Sequence, residues 1–275
     1  MPVDVSARVL SNTRLSPGYN VLALEAPEIG AITKPGQFVM VKPAQGQDPL
    51  LRRPFSVFEV LRDDGGIRGI SILNKRVGVG TALLYEAKPG DIVSTLGPLG
   101  KPFVPVDASE DAWMVAGGVG LAPFWTLAKA LAANGTKMTL FYGGRSAADI
   151  YYESFFADLG ATLVLTTEDG STGERGRVTA PLERALAAQP VNRPVTIYAC
   201  GPTPMMRAVA TLGDRAGRPV FVSLEPIMGC GMGGCYSCVV RVKRATGGSH
   251  FVRSCLEGPV FDAGGLIWDA LPSHG

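Results

Sequence analysis

Over the first hundred residues, short apolar stretches alternate with polar positions and are separated by glycine, proline and aspartate. Runs of β-forming residues that are bounded by turn residues at close spacing are typical of a small antiparallel barrel. The predicted strands cover residues 3–10, 19–25, 37–42, 54–62, 69–74 and 91–96. One helix is predicted to begin at Thr81 and to end before Pro89, because proline cannot continue a helix.

From Asp111 onward the pattern changes, and apolar runs alternate with segments whose apolar residues recur at helical spacing. Strands are predicted at 112–116, 138–142, 162–167, 196–199 and 220–224, and helices at 124–133, 152–159, 180–188 and 205–212. This β–α alternation favours a doubly wound parallel sheet that binds a nucleotide at the carboxyl ends of its strands.

The alternation stops at Glu225, and the remaining residues hold four cysteines among glycines, followed by a predicted hairpin of 239–244 with 250–253. About fifty residues are too few to build a large core of their own. We therefore expect something other than hydrophobic burial to order this tail. The chain divides into three predicted domains, at 1–103, 104–224 and 225–275.

Composition and charge exclude several classes of protein. The chain has 275 residues, of which 46% are hydrophobic and 18% charged, so it is long and apolar enough to form stable cores. The net charge is +2 without a dense basic run, which argues against nucleic acid as a partner. Only two histidines occur, His250 and His274, which excludes a His-rich metal site.

One apolar stretch, residues 112–133, contains a single charge at Lys129. A Gly-Gly-Val-Gly run and Pro123 interrupt it, so we interpret it as a buried strand, a turn and a helix rather than a membrane span. The first residues lack the basic and apolar regions of a signal peptide. No membrane association is predicted, and the expected location is cytoplasmic.

The cysteines carry the strongest chemical signal. Cys230, Cys235 and Cys238 have the spacing C-x4-C-x2-C, and Cys255 follows them. This arrangement is typical of a plant-type 2Fe–2S cluster, and the intervening glycines allow backbone N–H groups to approach the sulfurs. Structural zinc and buried free thiols are the alternatives, although zinc sites usually show two short paired spacings. Cys200 lies apart, at the end of a predicted strand.

Several glycine and arginine positions predict phosphate contacts. Gly118 and Gly120 follow a predicted strand and precede a helix, where a pyrophosphate can bind, although they match only half of the dinucleotide motif. A tight strand–helix turn is the alternative. In the barrel, Arg53 can clamp a phosphate, and Gly80 opens the predicted helix.

Together, the motifs at 53–56, 80–81, 117–123 and 200–202 resemble those of the ferredoxin–NADP reductase superfamily. The segments 228–238 and 255–261 are similar to the electron transfer subunits of class 1B dihydroorotate dehydrogenases. The chain departs from these patterns at three positions. Ile227 and Ser237 lie where relatives more often have a basic residue and glycine, and Phe55 replaces the tyrosine that is common in the wider superfamily.

The resemblance implies three cofactors and their sites. FAD would be held by Arg53, Pro54, Phe55, Ser56, Leu73, Asn74, Lys75, Gly80 and Thr81. NAD would be held by Gly118, Gly120, Cys200 and Gly201, with Cys200 and Gly201 beside the nicotinamide. The 2Fe–2S cluster would be ligated by Cys230, Cys235, Cys238 and Cys255.

The same resemblance implies an oxidoreductase without a catalytic acid or base of its own. Its implied partner is an FMN-containing dihydroorotate dehydrogenase subunit, in a heterotetramer with two copies of each chain. Alternatives are the electron transfer subunit of another flavin and iron–sulfur complex, or a stand-alone NAD(P)H–acceptor reductase. The residues do not separate NAD from NADP, because Arg145 is able to contact either a 2′-phosphate or an ordinary ribose.

Overall fold

A computed structural model describes residues 1–43, 46, 48–190 and 192–271; His274 lies outside the described residues. The first half of the chain contains six strands and two helices. They are β1 (Val3–Ser16), β2 (Tyr19–Glu25), α1 (Pro27–Ile32), β3 (Phe38–Lys42), β4 (Arg53–Asp63), β5 (Gly66–Lys75), α2 (Val79–Glu86) and β6 (Ile92–Leu99).

The six strands form a closed antiparallel barrel in the order β1-β2-β5-β4-β3-β6, which confirms the predicted architecture. Strand β1 is six residues longer than predicted, because it pairs with β6 along its first half and with β2 along its second. Helix α1 was not predicted from the sequence, because six residues are too few to show a helical period. It begins at Pro27 and buries Ile29 in the barrel core.

The second half of the chain forms a seven-stranded sheet with helices between its strands. Its strands are β7 (Asp111–Gly117), β8 (Met138–Gly144), β9 (Thr162–Thr167), β10 (Glu174–Arg175), β11 (Val195–Cys200), β12 (Val220–Ser223) and, from the tail, β15 (Val260–Asp262). The helices are α3 (Phe124–Ala133), α4 (Glu153–Asp158), α5 (Thr179–Ala188) and α6 (Thr203–Arg215). The strand order β10-β9-β8-β7-β11-β12-β15 is parallel up to β12, as a doubly wound sheet requires.

The tail contains a hairpin of β13 (Val239–Lys243) and β14 (Ser249–Arg253), the short helix α7 (Ser254–Glu257), and β15. Strand β15 pairs antiparallel with β12 and so extends the large sheet. Val240, Ala263 and Leu266 of the tail belong to the same apolar cluster as that sheet. The expectation that burial does not order the tail was therefore wrong in part, because its apolar residues share the core of the sheet.

The tail also packs against the barrel. Met228, Cys238 and Cys255 form an apolar cluster with Met40 and Leu99 of strands β3 and β6. The positions of the predicted domain boundaries remain a prediction. No helix in the described ranges combines the length and apolar character that a membrane crossing demands.

Polar contacts join the barrel to the parallel sheet at two places. The Tyr19 hydroxyl donates to the Asp149 carboxylate at 2.7 Å, and burial followed by this carboxylate raises the pKa of Tyr19. Trp125 on α3 donates its indole N–H to Glu59 on β4 at 3.1 Å. These contacts hold the two folds against each other on one side of the barrel.

Candidate functional site

Three of the four predicted cluster ligands lie on an irregular loop between β12 and β13, and the fourth lies on α7. Cys238 and Cys255 are buried, Cys230 is half-buried and Cys235 is exposed. The Cys235 thiol acts on the pKa of Cys230 and the Cys238 thiol acts on the pKa of Cys255, so the two members of each pair lie close together. The fold thus brings all four predicted ligands to one place.

The loop follows a path that glycine makes possible. Gly231 has a φ of +73°, and a Cβ there would lie 2.5 Å from Met40 Cγ. A side chain at this position would therefore push the loop away from the barrel. Tyr236 has a φ of +58°, which is uncommon for a residue with a side chain. Ser237, a departure from the family pattern, donates its hydroxyl to the carbonyl of Ile227 across the loop at 3.2 Å.

Backbone N–H groups lie near the Cys230 sulfur. The N–H of Met232 donates to it at 3.4 Å. Burial opposes ionisation of this thiol, but backbone hydrogen bonds from Met232, Cys235 and Gly234 and contact with the Cys235 thiol together lower the pKa of Cys230 to about 7. Cys255 behaves in the opposite way, because burial and then the neighbouring Cys238 thiol raise the pKa of Cys255 to about 12.

The arrangement suits a binuclear cluster. In the part of the chain that the structure describes, no group of three or more His, Cys, Asp or Glu side chains is arranged to hold a metal ion, so the assignment rests on the two neighbouring pairs of thiols. A 2Fe–2S cluster needs two ligands on each iron, and two pairs of thiols match that requirement. The N–H groups around Cys230 are suited to stabilise thiolate charge.

The predicted FAD motif lies at the beginning of β4, next to the strand that supports the cluster loop. Pro54 pairs with Met40 of β3, and Ser56 pairs with Phe38. Met40 in turn lies against Gly231 of the loop. Neighbouring strands in a sheet are about 4.8 Å apart. The FAD motif and the cluster loop are therefore separated by a single strand.

Arg53 and Gly80, which are distant in the sequence, meet at the N-terminus of α2. A Cβ on Gly80 would lie 3.4 Å from Arg53 Cγ. The Arg53 guanidinium donates to the carbonyl of Leu51 at 2.9 Å. Helix N-termini favour anions, and an arginine placed beside one adds a charged donor for phosphate.

The Thr81 hydroxyl is used within the helix cap. It accepts hydrogen bonds from the N–H groups of Val77 and Gly78 at 2.8 and 2.9 Å. It also donates to the Gly78 carbonyl. This leaves the backbone, rather than the hydroxyl, as the group that Thr81 offers to a phosphate.

Asn74 is fully buried, and its side chain hydrogen-bonds to the backbone of α2. Its amide donates to Asn20 at 2.7 Å and to the Thr81 carbonyl at 3.0 Å, and Asn20 donates to Asn12 at 2.7 Å. Asn12 donates to the carbonyl of Tyr85 at 2.9 Å near the other end of the helix. This row of three asparagines fixes the position of α2 on the barrel, and a direct contact of Asn74 with FAD remains a prediction.

The other two predicted FAD residues on β5 face the junction with the parallel sheet. Leu73 is buried in the core that the barrel shares with α3 and β7. The Lys75 ammonium lies 3.9 Å from Asp149 and 5.2 Å from the centre of the Tyr19 ring. Lys75 therefore contributes to the domain junction.

At the carboxyl edge of the parallel sheet, the two loops that are predicted to bind NAD approach each other through their backbones. Gly118, with a φ of +53°, opens a short 3-10 turn, Gly118–Leu121. A Cβ on Gly120 would lie 2.3 Å from the carbonyl oxygen of Cys200. A Cβ on Gly201 would lie 3.0 Å from the Cα of Gly117, so these two residues are also in close backbone contact. The structure thus brings all four predicted NAD residues together.

Glu225, which sequence analysis did not select, lies beside Cys200. The Cys200 thiol lies 4.0 Å from the Glu225 carboxylate. Burial and then Glu225 raise the pKa of Cys200, and burial raises the pKa of Glu225. Glu225 itself is exposed to solvent, whereas Cys200 is fully buried. An acidic residue just after β12, at the carboxyl edge of the sheet, was the available signal.

A cavity of about 520 Å³ opens between the barrel and the cluster loop. Leu99 and Lys101 of the barrel side, and Met232 and Leu256 of the tail, contribute to its lining, and Cys255 lies at its wall. Ile32, Met232 and Leu256 are 45%, 59% and 40% exposed around it. One of the predicted cluster ligands, itself buried, thus lies directly behind an apolar opening.

Two family models match the chain. One, described as an oxidoreductase NAD-binding domain, matches residues 114–211, which include all four predicted NAD residues. The other, described as the iron–sulfur cluster binding domain of dihydroorotate dehydrogenase B, matches residues 225–267, which include all four predicted ligands.

Similar proteins cover nearly the whole chain. The dihydroorotate dehydrogenase B (NAD(+)) electron transfer subunit of Geobacillus thermodenitrificans is 40% identical over 94% of this chain and 96% of its own. The protein of the same name from Desulforamulus reducens is 37% identical over 96% of this chain and 98% of its own.

Solved structures give the same fold. A chain of the NADH-dependent reduced ferredoxin–NADP oxidoreductase, described in connection with flavin-based electron bifurcation, superposes with a TM-score of 0.83 at 27% identity. That match covers 96% of this chain and 91% of the other. The ferredoxin reductase of carbazole 1,9a-dioxygenase shares the fold with a TM-score of 0.67 at 23% identity, over 80% and 69% of the two chains.

Proposed function

Because this chain belongs to the family of dihydroorotate dehydrogenase B electron transfer subunits, we propose that it takes electrons from the FMN of a catalytic subunit and delivers them to NAD⁺. It is an oxidoreductase with FAD, 2Fe–2S and NAD as cofactors, and its role is in de novo pyrimidine biosynthesis. FAD, when bound, exchanges a hydride with nicotinamide and single electrons with the cluster.

The observation that carries this function is the position of Met40. It lies on β3, pairs with Pro54 of the FAD motif and packs against Gly231 of the cluster loop. One strand therefore connects the residues proposed for the flavin with those proposed for the cluster. An electron carrier needs such fixed proximity between cofactors more than it needs an acid or a base.

Each group of residues has a proposed task in this scheme. Arg53 and the N-terminus of α2 at Gly80 and Thr81 hold the FAD pyrophosphate, while the residues from Pro54 to Ser56 lie along the flavin. The bare backbone at Gly118, Gly120, Cys200 and Gly201 admits NAD close to the sheet. Cys230, Cys235, Cys238 and Cys255 ligate the cluster. The Cys200–Glu225 pair borders the nicotinamide and keeps its thiol protonated.

The purified chain is expected to oxidise NADH with an artificial acceptor but not to reduce orotate. The acceptor reaction needs only the cofactors of this chain, whereas orotate chemistry needs the FMN of the partner. Adding the FMN-containing subunit from the same source should restore orotate reduction, and the mass of the complex should correspond to two copies of each chain. Orotate reduction by this chain alone would contradict the two-subunit assignment.

A second candidate partner follows from the structural match to the NADH-dependent reduced ferredoxin–NADP oxidoreductase. In that case the chain serves another flavin and iron–sulfur complex. Affinity purification from the source cells separates the two functions. Recovery of an FMN-containing dihydroorotate dehydrogenase supports the proposal, and recovery of a different redox subunit in its place supports the second candidate.

We place the docking surface for the catalytic subunit at the apolar opening beside the cluster. Met232→Glu is expected to weaken the complex at least about tenfold, because a buried, unpaired carboxylate is costly at an interface. Val104→Glu is the matched control, since Val104 is 77% exposed on the connection between barrel and sheet. Association of the two subunits, measured by surface plasmon resonance, checks both variants. Equal weakening in both would place the docking surface elsewhere.

A further inference from the structure

Arg253 is the last residue of β14, the strand that leads into Cys255. Its side chain contacts the loop that carries the other three predicted ligands. Its guanidinium donates to the carbonyl of Gly233 at 2.9 Å. The same group lies over the ring of Tyr236, 4.9 Å from the ring centre. Arg253 is only two residues before Cys255. One side chain therefore connects the strand that leads into Cys255 with the loop that carries the other three cysteines.

The loop is shaped to allow this contact. Gly233 has a φ of +81°, and a Cβ there would lie 2.5 Å from Leu256 Cδ1 and 3.5 Å from the Arg253 guanidinium. Tyr236 also adopts a positive φ, which turns its ring beneath the arginine. Residues in such conformations persist only where their surroundings hold them. Arg253 provides two of the holding contacts, one polar and one with the aromatic ring.

Among the described residues, no ion pair balances the charge of Arg253. Across the described ranges, no carboxylate lies within 4.0 Å of its guanidinium. The nearby Glu257 is paired with Lys101 at 2.6 Å, and this lysine, followed by a smaller effect of Arg253, lowers the pKa of Glu257. A positive charge that is partly shielded from solvent therefore remains next to the cysteine loop.

We propose that Arg253 is a positioning residue for the 2Fe–2S cluster, which ties the three-cysteine loop to Cys255 and raises the reduction potential of the cluster. This inference rests on the ligand assignment proposed above. Reduction adds one electron to the cluster and hence one negative charge, with no bond made or broken. A fixed positive charge stabilises the reduced form more than the oxidised form.

The test uses the full chain with its cofactors, in three variants. Arg253→Gln removes the charge, Arg253→Lys keeps it but loses the planar contact with Tyr236, and Arg241→Gln is the matched control. Arg241 lies on the same hairpin, is exposed, and contacts Ser249 at 2.7 Å instead of the cluster loop. Iron content and the EPR signal of the reduced cluster are followed during an anaerobic redox titration.

At the midpoint potential of the original protein, the ratio of reduced to oxidised cluster is expected to fall about three- to tenfold in Arg253→Gln. Arg253→Lys should keep most of the potential while retaining less iron during gel filtration, and Arg241→Gln should match the original protein in both measurements. Loss of iron from Arg253→Gln but not from Arg241→Gln also supports the positioning role.

Two outcomes would overturn the inference. One is an Arg253→Gln variant with unchanged potential and iron content, and the other is an equal change in Arg253→Gln and Arg241→Gln. Failure of the proposed function is recognised separately, because the original protein would then lack a 2Fe–2S EPR signal. The potential and the iron content do not depend on the catalytic subunit, so the choice of partner does not affect the result.

Discussion

Replacing Cys235 by serine is expected to abolish the EPR signal of the reduced 2Fe–2S cluster. Cys235 is the exposed member of one of the two thiol pairs, so its loss leaves Cys230 without its partner. A serine hydroxyl is a poor substitute for a thiolate toward iron. We expect iron retention to fall at least about 100-fold in affinity. Iron analysis and low-temperature EPR of the reduced protein measure the effect.

Cys200→Ser is the matched control for this experiment, because it removes the remaining thiol at the edge of the parallel sheet. Its iron content and cluster signal should equal those of the original protein, although its reaction with NADH is free to change. An unchanged cluster signal in Cys235→Ser would refute the ligand assignment. The same two variants separate iron from zinc, since zinc-loaded protein is colourless and gives no such signal in either form.

Replacing Arg53 by alanine is expected to cause the second large loss, that of FAD. The Arg53 side chain packs over Gly80 at the beginning of α2, where its charge and the helix N-terminus act on the same phosphate. Hydrogen bonds to charged groups contribute about 1.5–3 kcal/mol each, so the affinity for FAD should fall about 10- to 100-fold. Titration of the flavin-free protein, followed by flavin fluorescence, gives the dissociation constant.

Arg52→Ala is the control for Arg53→Ala, since the Arg52 guanidinium is engaged by Asp4 at 2.8 Å and by Ser94 at 2.7 Å. We expect its FAD affinity to stay within about twofold of the original, because a guanidinium that Asp4 and Ser94 already engage is not available to a phosphate. Arg53→Lys should fall between the two, since lysine keeps the charge but not the planar pair of donors. Equal FAD affinity in Arg53→Ala and Arg52→Ala would remove Arg53 from the site.

Most of the architecture was predictable because its signals are local. The alternation along 54–62 and 69–74 identifies strands β4 and β5, and the apolar runs at 112–116 and 196–199 identify two central strands of a parallel sheet. Helix α1 and strand β15 were missed because six and three residues carry no measurable period. Strand β15 exists because the edge of β12 is available to pair with it.

Some functional residues were likewise predictable from local spacing, whereas others are brought together only by tertiary packing. The spacing of Cys230, Cys235 and Cys238 is itself a chemical signal, since three ligands on one loop need that interval. The approach of Glu225 to Cys200, and that of Arg253 to Gly233, depend on how separate segments pack. No interval in the sequence encodes such contacts.

By itself, the sequence determined that this protein has a barrel, a parallel sheet and a cysteine-rich tail, together with the types of cofactor that each part holds. Only the tertiary structure decided which thiols pair, that Asn74 supports a helix, and that Met40 lies between the flavin motif and the cluster loop. The physical reason is the range of the interactions. Periodicity and ligand spacing are set within a few neighbouring residues, whereas distances between cofactor sites are set by long-range packing of the barrel, the sheet and the tail.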